Sequence, residues 1–164
     1  MEQSFILWTD PETGRLTVTS IPYDREDAKA FWVKRVVPDG VEWCDIHPIE
    51  IPADRTFRNA WKRDLTEATK KIRVSMTGAR KIHMDRIRHI RNQELKKEDI
   101  LFQMAIEENN ETAKAEIASR KKALRDLPDA FDLDKYETPA ELKEAWPEEL
   151  PEPDAMLFRT VFNT

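Results

Sequence analysis

Only one cysteine, Cys44, stands in the chain, so no intrachain disulfide can form and an oxidised scaffold is excluded. Glycine is almost as scarce. Gly14, Gly40 and Gly78 are too sparse for a phosphate-cradling loop, and neither GxGxxG nor GxxxxGK[ST] occurs. No apolar run approaches the length of a membrane span, and no basic leader precedes "SFILW", so neither an anchor nor a signal peptide is expected. Basic excess is missing too: the formal net charge is −5, which leaves no global pull toward nucleic acid. Histidine occurs at three positions, His47, His83 and His89. His83 and His89 lie six apart rather than at the i,i+4 spacing of a helical metal pair, and no HExxH is present. Cys44 and His47 fall on opposite faces of an extended strand, so a Cys-His nucleophile is not expected. The sequence therefore points to no catalytic residue, no metal and no cofactor.

Proline is missing from residues 53–127 and frequent on either side. That proline-free middle is where long helices are expected. Of the 164 residues, 36% are charged and 40% hydrophobic, which allows a modest core rather than one thick layer.

Residues 4–22 read as a β-hairpin: "SFILW", turn chemistry in "DPETGR", then the alternating "LTVTSI". "DREDAKAFWVKRVV" follows as a helix with Asp24 as N-cap and Ala28, Phe31, Trp32 and Val36 at helical spacing. "VEWCDIHPIEI" reads as a further strand with Val41 and Trp43 toward a core, and "KKIRVSM" as a short strand expected to pair with the N-terminal sheet. Helix formers dominate residues 77–108, with Ile87, Ile90, Leu101 and Ala105 able to share a face. "NN" at 109–110 breaks the pattern, and residues 111–127 form a second helix carrying Ala113, Ile117, Leu124 and Leu127. So short a connection predicts an antiparallel helical hairpin. "TPAELKEAW" is a strong helix start, with Thr138 as N-cap, Pro139 at the first position and Glu141 closing a capping box. The fold class is α+β: a small β-β-α-β lobe over 1–76, a helical hairpin over 77–127, and an acidic, proline-rich segment over 128–164 with a short helix and an extended tail.

Three stretches are candidates for partner contact. In "IPADRTFRNAW", Asp54 is expected to cap a short helix that puts Phe57 and Trp61 on one face, at the junction of sheet and hairpin, leaving Arg55 and Arg58 for an acidic partner. Between Lys70 and Lys97 stand ten Lys and Arg against Asp85 and Glu94, with Arg80, Arg86, Arg88 and Arg91 winding around the helix. This block reads either as phosphate contact with nucleic acid or as the counterpart of residues 126–154, which carry eleven acids against two lysines. The second reading is preferred, because the net charge is negative and no aromatic side chain interleaves the arginines for base stacking. In the tail, Met156, Leu157, Phe158, Val161 and Phe162 are expected to dock on this chain or a neighbour, since large apolar side chains left in water forgo about 1.5–3 kcal/mol each.

Taken in order, "FILWTDPETGRLTVT", "PADRTFRNAW", "ARKIHMDRIRHIRNQEL", "EIASRKKALRDLP" and "TPAELKEAWP" give the chain a resemblance to a family of small proteins encoded in tailed phages and prophages of proteobacteria, often in the tail-fibre or tail-assembly region. The resemblance covers most of the chain. It departs in the longer, more basic "KRDLTEATKK" and in the added apolar tail "PEPDAMLFRTVFNT". It implies a phage protein connected with the tail, either a virion component or an assembly factor, and no set of catalytic residues. The leading expectation is a non-enzymatic structural or interaction protein of the virion tail, assembled in the host cytoplasm. Its partners would be tail or tail-fibre proteins, in a homo- or hetero-oligomer. The alternatives are a transient tail-fibre assembly chaperone and, less favoured, a nucleic-acid-binding regulator using the basic helix 70–97.

Overall fold

In the computed structural model the described residues are 3–22, 26–64 and 72–153. The chain divides into two compact units, Met1–Gly78 and Ala79–Thr164.

The first unit is built on a three-stranded antiparallel sheet with β1 (Gln3–Thr9) between β2 (Leu16–Pro22) and β3 (Trp43–Ile46). The β1–β2 turn is made by its own residues. Asp10 Oδ1 accepts from the amides of Glu12 (2.8 Å) and Thr13 (3.3 Å), and Gly14 takes the left-handed φ of 64° that closes the loop. The Glu12 amide bond first, then the Thr13 side chain, lower the Asp10 carboxyl pKa from its ordinary value.

Because alternate residues of a strand face opposite ways, the central strand feeds two cores. Ile6 and Ile21 join Val33 and Val37 of helix α1 (Glu26–Val36 and the residue after it) on one face. Leu7, Leu16 and Ile46 join Trp61 and Ile72 on the other. Trp61 and Ile72 come from a second, two-stranded sheet, β4 (Trp61–Arg63) with β5 (Ile72–Val74), in which Trp61 pairs with Val74. The strand in "KKIRVSM" therefore pairs with β4 rather than with the N-terminal sheet, because "WKR" is itself extended and offers the nearer partner.

Three other expectations are corrected in this unit. Trp43 is exposed, and Cys44 and Ile46 carry the inward positions of β3. The strand is shorter than "VEWCDIHPIEI", because His47 caps a 3-10 turn over Pro48–Glu50. On α1, Trp32 and Val36 pack partly buried against the core as expected, but Val33 and the following Val37 take its buried places and Phe31 is exposed. The N-cap assigned to Asp24 lies outside the described residues.

The second unit is the predicted hairpin. Helix α2 (Met76–Glu107) and helix α3 (Glu111–Ala130) are joined at Asn109 and Asn110. Asn109 adopts the left-handed φ of 52°. Two crossed bonds then close the helix end, Asn110 N to Ala105 O (2.9 Å) and Asn109 N to Ile106 O (3.1 Å). The Asn110 side chain starts α3 by accepting from Ala113 N at 3.0 Å. Arg120 grips Glu98 across the hairpin with two bonds of 3.0 and 2.9 Å, and Lys121 reaches Asp99 at 2.6 Å while lying over the Phe102 ring. Ile87, Ile90, Ala105, Ile117 and Leu127 are buried as expected, but Leu101 is exposed. Helix α3 runs past the proline expected to end it. Pro128 is buried in its last turn, which Phe131 N closes on Leu127 O at 2.9 Å. Helix α4 (Pro139–Glu144) has the expected capping box: Thr138 Oγ1 accepts from Glu141 N, and Glu141 Oε2 from Thr138 N.

Candidate interaction surface

The 51–61 corner is structural more than it is a grip. Asp54 Oδ1 accepts from Thr56 N at 2.8 Å, a single 3-10 turn covers Arg58–Ala60, and Trp61 already belongs to β4. Phe57 and Trp61 are both buried, at 3% and 2% exposure, with Trp61 in the first unit's own core. Neither side chain is available to a partner. Arg55 is exposed and Arg58 half-buried.

The four arginines of α2 have separate fates. Arg86 is buried. Arg80 donates to the carbonyls of Leu133 (3.1 Å), Asp134 (3.3 Å) and Tyr136 (2.8 Å), tying the stretch after α3 to the start of α2. Its rigid fork of donors suits several carbonyl oxygens at once. Arg91 donates to the Arg125 carbonyl at 3.4 Å, and Arg88 lies 3.6 Å from Asp85 on its own helix. An open groove of about 560 Å³ beside them sets Arg80, Lys81 and Arg88 against Asp129, Asp132 and Asp134. The basic block thus faces the acidic segment, but Arg80 binds it mainly through backbone carbonyls, with the Asp134 carboxylate farther away at 3.5 Å.

His83 was not singled out by the sequence as a tether, yet it is one. It is buried at 3% exposure, its Nε2–H donates to the Ala145 carbonyl at 2.5 Å, and its ring stands edge-on to Trp146 at 5.9 Å. Burial lowers its pKa, with the Arg86 charge adding to that and the Ala145 bond opposing it. A base whose folded pKa lies below its unfolded value of about 6.5 takes up its proton more readily when unfolded. Its contribution is therefore whole above pH 6.5 and is lost as pH falls below that value, until the folded group itself titrates. Urea unfolding from pH 7.5 to 5 is expected to show stability falling below pH 6.5, by at most about 1.4 kcal/mol per pH unit for this one proton. His83→Gln is expected to flatten that slope.

A different feature marks the distal half of α2. Ile100, Met104 and Leu101 are 63%, 50% and 44% exposed. Ile100 and Met104 continue a register that the chain covers upstream. Ala79, His83, Arg86 and Ile90 repeat at spacings of four, three and four and are all buried. The same alternation carries on through Gln93, Lys97, Ile100, Met104 and Glu107, and every one of these is exposed. Helix α3 lies on the other side, where Glu98, Phe102 and Ala105 are, about half a helical turn away.

Leu157, Phe158 and Phe162, the tail residues expected to dock, lie outside the described residues. Among the described residues no helix is long and apolar enough to cross a membrane, and no three His, Cys, Asp or Glu side chains cluster so as to hold a metal ion. No family model, curated protein or solved structure matches the chain.

Proposed function

We propose that this protein is a non-enzymatic, contact-making component of a phage tail or tail fibre, and that the distal face of α2 is one of its contact surfaces. The observation that carries the contact reading is the uncovered continuation of the heptad-like register, Gln93 to Glu107, on a helix already fixed by α3. Helix faces with this spacing bury their apolar side chains against another helix. The tail setting rests on the sequence resemblance. Quantitative mass spectrometry of purified particles tests it: many copies per particle are expected, whereas presence during assembly and absence from finished particles would assign the protein to the assembly chaperones instead.

Protein contact is also preferred over nucleic acid because three of the four α2 arginines are engaged in the fold or buried in it. That leaves Lys81 and Arg88 as the exposed cations of the proximal half of α2, with Arg73 before the helix and Lys96 and Lys97 farther along it. Fewer phosphates would be neutralised than the ten cations of the sequence suggest, which weakens binding at physiological salt. A mobility-shift titration is expected to show no tight duplex complex; one that Lys81→Glu with Arg88→Glu abolishes would reverse the preference.

A further inference from the structure

The bare face of α2 carries its own charge code. Reading from residue 93 to 108, it begins basic with Lys96 and Lys97, is apolar at Ile100, Leu101 and Met104, and ends acidic with Glu107 and Glu108. All of these side chains are exposed. The nearest polar contacts lie along the same helix, Lys97 to Glu94 at 2.7 Å and Gln103 to Glu107 at 3.1 Å. Such exposed pairs contribute little and exchange easily.

We infer that the occupant of this face is a second copy of the same chain, running antiparallel, with a two-fold axis at the level of residue 102. Isologous pairing requires a surface complementary to itself under a two-fold rotation, and Lys97, Ile100, Met104 and Glu107 of this stripe meet that condition. The axis sets Ile100 opposite Met104 of the second copy and Lys97 opposite its Glu107, with Lys96 and Glu108 at the same level on the flanks of the seam. A parallel pairing would instead set lysine against lysine and glutamate against glutamate. Two hairpins joined this way form a four-helix arrangement, in which the seam 93–107 becomes inward and Glu98–Arg120 stays an intramolecular clamp. The inference rests on the contact reading above and names its partner.

The test uses the full chain and two charge-reversed variants. Variant one is Lys96→Glu with Lys97→Glu, which makes the stripe acidic at both ends. Variant two is Glu107→Lys with Glu108→Lys, which makes it basic at both ends. By sedimentation equilibrium the wild type is expected to be a dimer at micromolar concentration. Each variant alone is expected to self-associate about 100-fold more weakly, since like charges then meet across the axis. An equimolar mixture is expected to recover the dimer, because an acidic stripe then faces a basic one. A gain on mixing also shows that both variants are folded, and circular dichroism checks each separately. Monomeric wild type, or a dimer that both variants retain, would overturn the inference. Neither result would touch the particle measurement, so failure of the second-copy assignment is distinguishable from failure of the tail reading.

Discussion

Trp61→Ala is expected to destabilise the first unit by about 3–5 kcal/mol, the usual cost of truncating a buried large aromatic. Trp61 is 2% exposed and packs with Leu7, Leu16, Ile46 and Ile72, so it joins the two-stranded sheet to the three-stranded one. Few neighbours can collapse into the space, because Leu7 and Ile46 are held in register by strand pairing of β1 with β2 and β3. Urea unfolding followed by β-sheet circular dichroism measures the loss. Trp61→Phe, which keeps most of the apolar volume, is expected to lose less than half as much. If Trp61→Ala shifts the midpoint no more than a surface substitution does, the assignment of this residue to the core is wrong.

Leu142→Ala is expected to lower the stability of the second unit by about 2–5 kcal/mol. Leu142 is fully buried and is the inward residue of α4, a helix too short to persist without packing. It stands close in sequence to Ala145 and Trp146, the partners of His83. Loss of the leucine is therefore expected to loosen the whole stretch 131–150, with amide exchange there rising before that of α3. Leu142→Met conserves volume and is expected to cost less than about 1.5 kcal/mol. Uniform exchange rates across α3 and 131–150 in Leu142→Ala would contradict this account of how the segment is held.

Local chemistry was legible in the sequence wherever a few adjacent residues decide the outcome. Asp10 with Gly14 specifies the first turn, Asn109 and Asn110 specify the hairpin connection, and Thr138-Pro139 with Glu141 specifies the start of α4. The α+β class followed from these boundaries. What escaped were choices among distant partners. β5 reads as a strand from its alternation, but nothing local says that "WKR" eleven residues earlier will pair with it. Phe31 and Trp43 look like core residues by hydrophobicity, and only the packing of α1 and β3 gives Val33, Val37 and Ile46 the inward places.

The candidate residues divided in the same way. Phe57 and Trp61 turned out to be core, Arg86 is buried, and Arg80 and Arg91 serve backbone carbonyls. Arginine looks the same in a sequence whether its fork meets a phosphate or a loop. The distal face of α2 was missed for the opposite reason. Ile100 and Met104 sit at core spacing, and the heptad register upstream is indeed covered, so only the fold reveals where the cover stops.

The central claim is that the 93–107 face of α2 is covered by protein when the protein is assembled. Oxidative footprinting of Met104 measures this most directly, because a thioether reports its own access to oxidant. The account predicts that sulfoxide formation at Met104 falls severalfold as the full chain is concentrated from nanomolar to tens of micromolar, while half-buried Met84 changes little. Equal oxidation of Met104 across that range would contradict it.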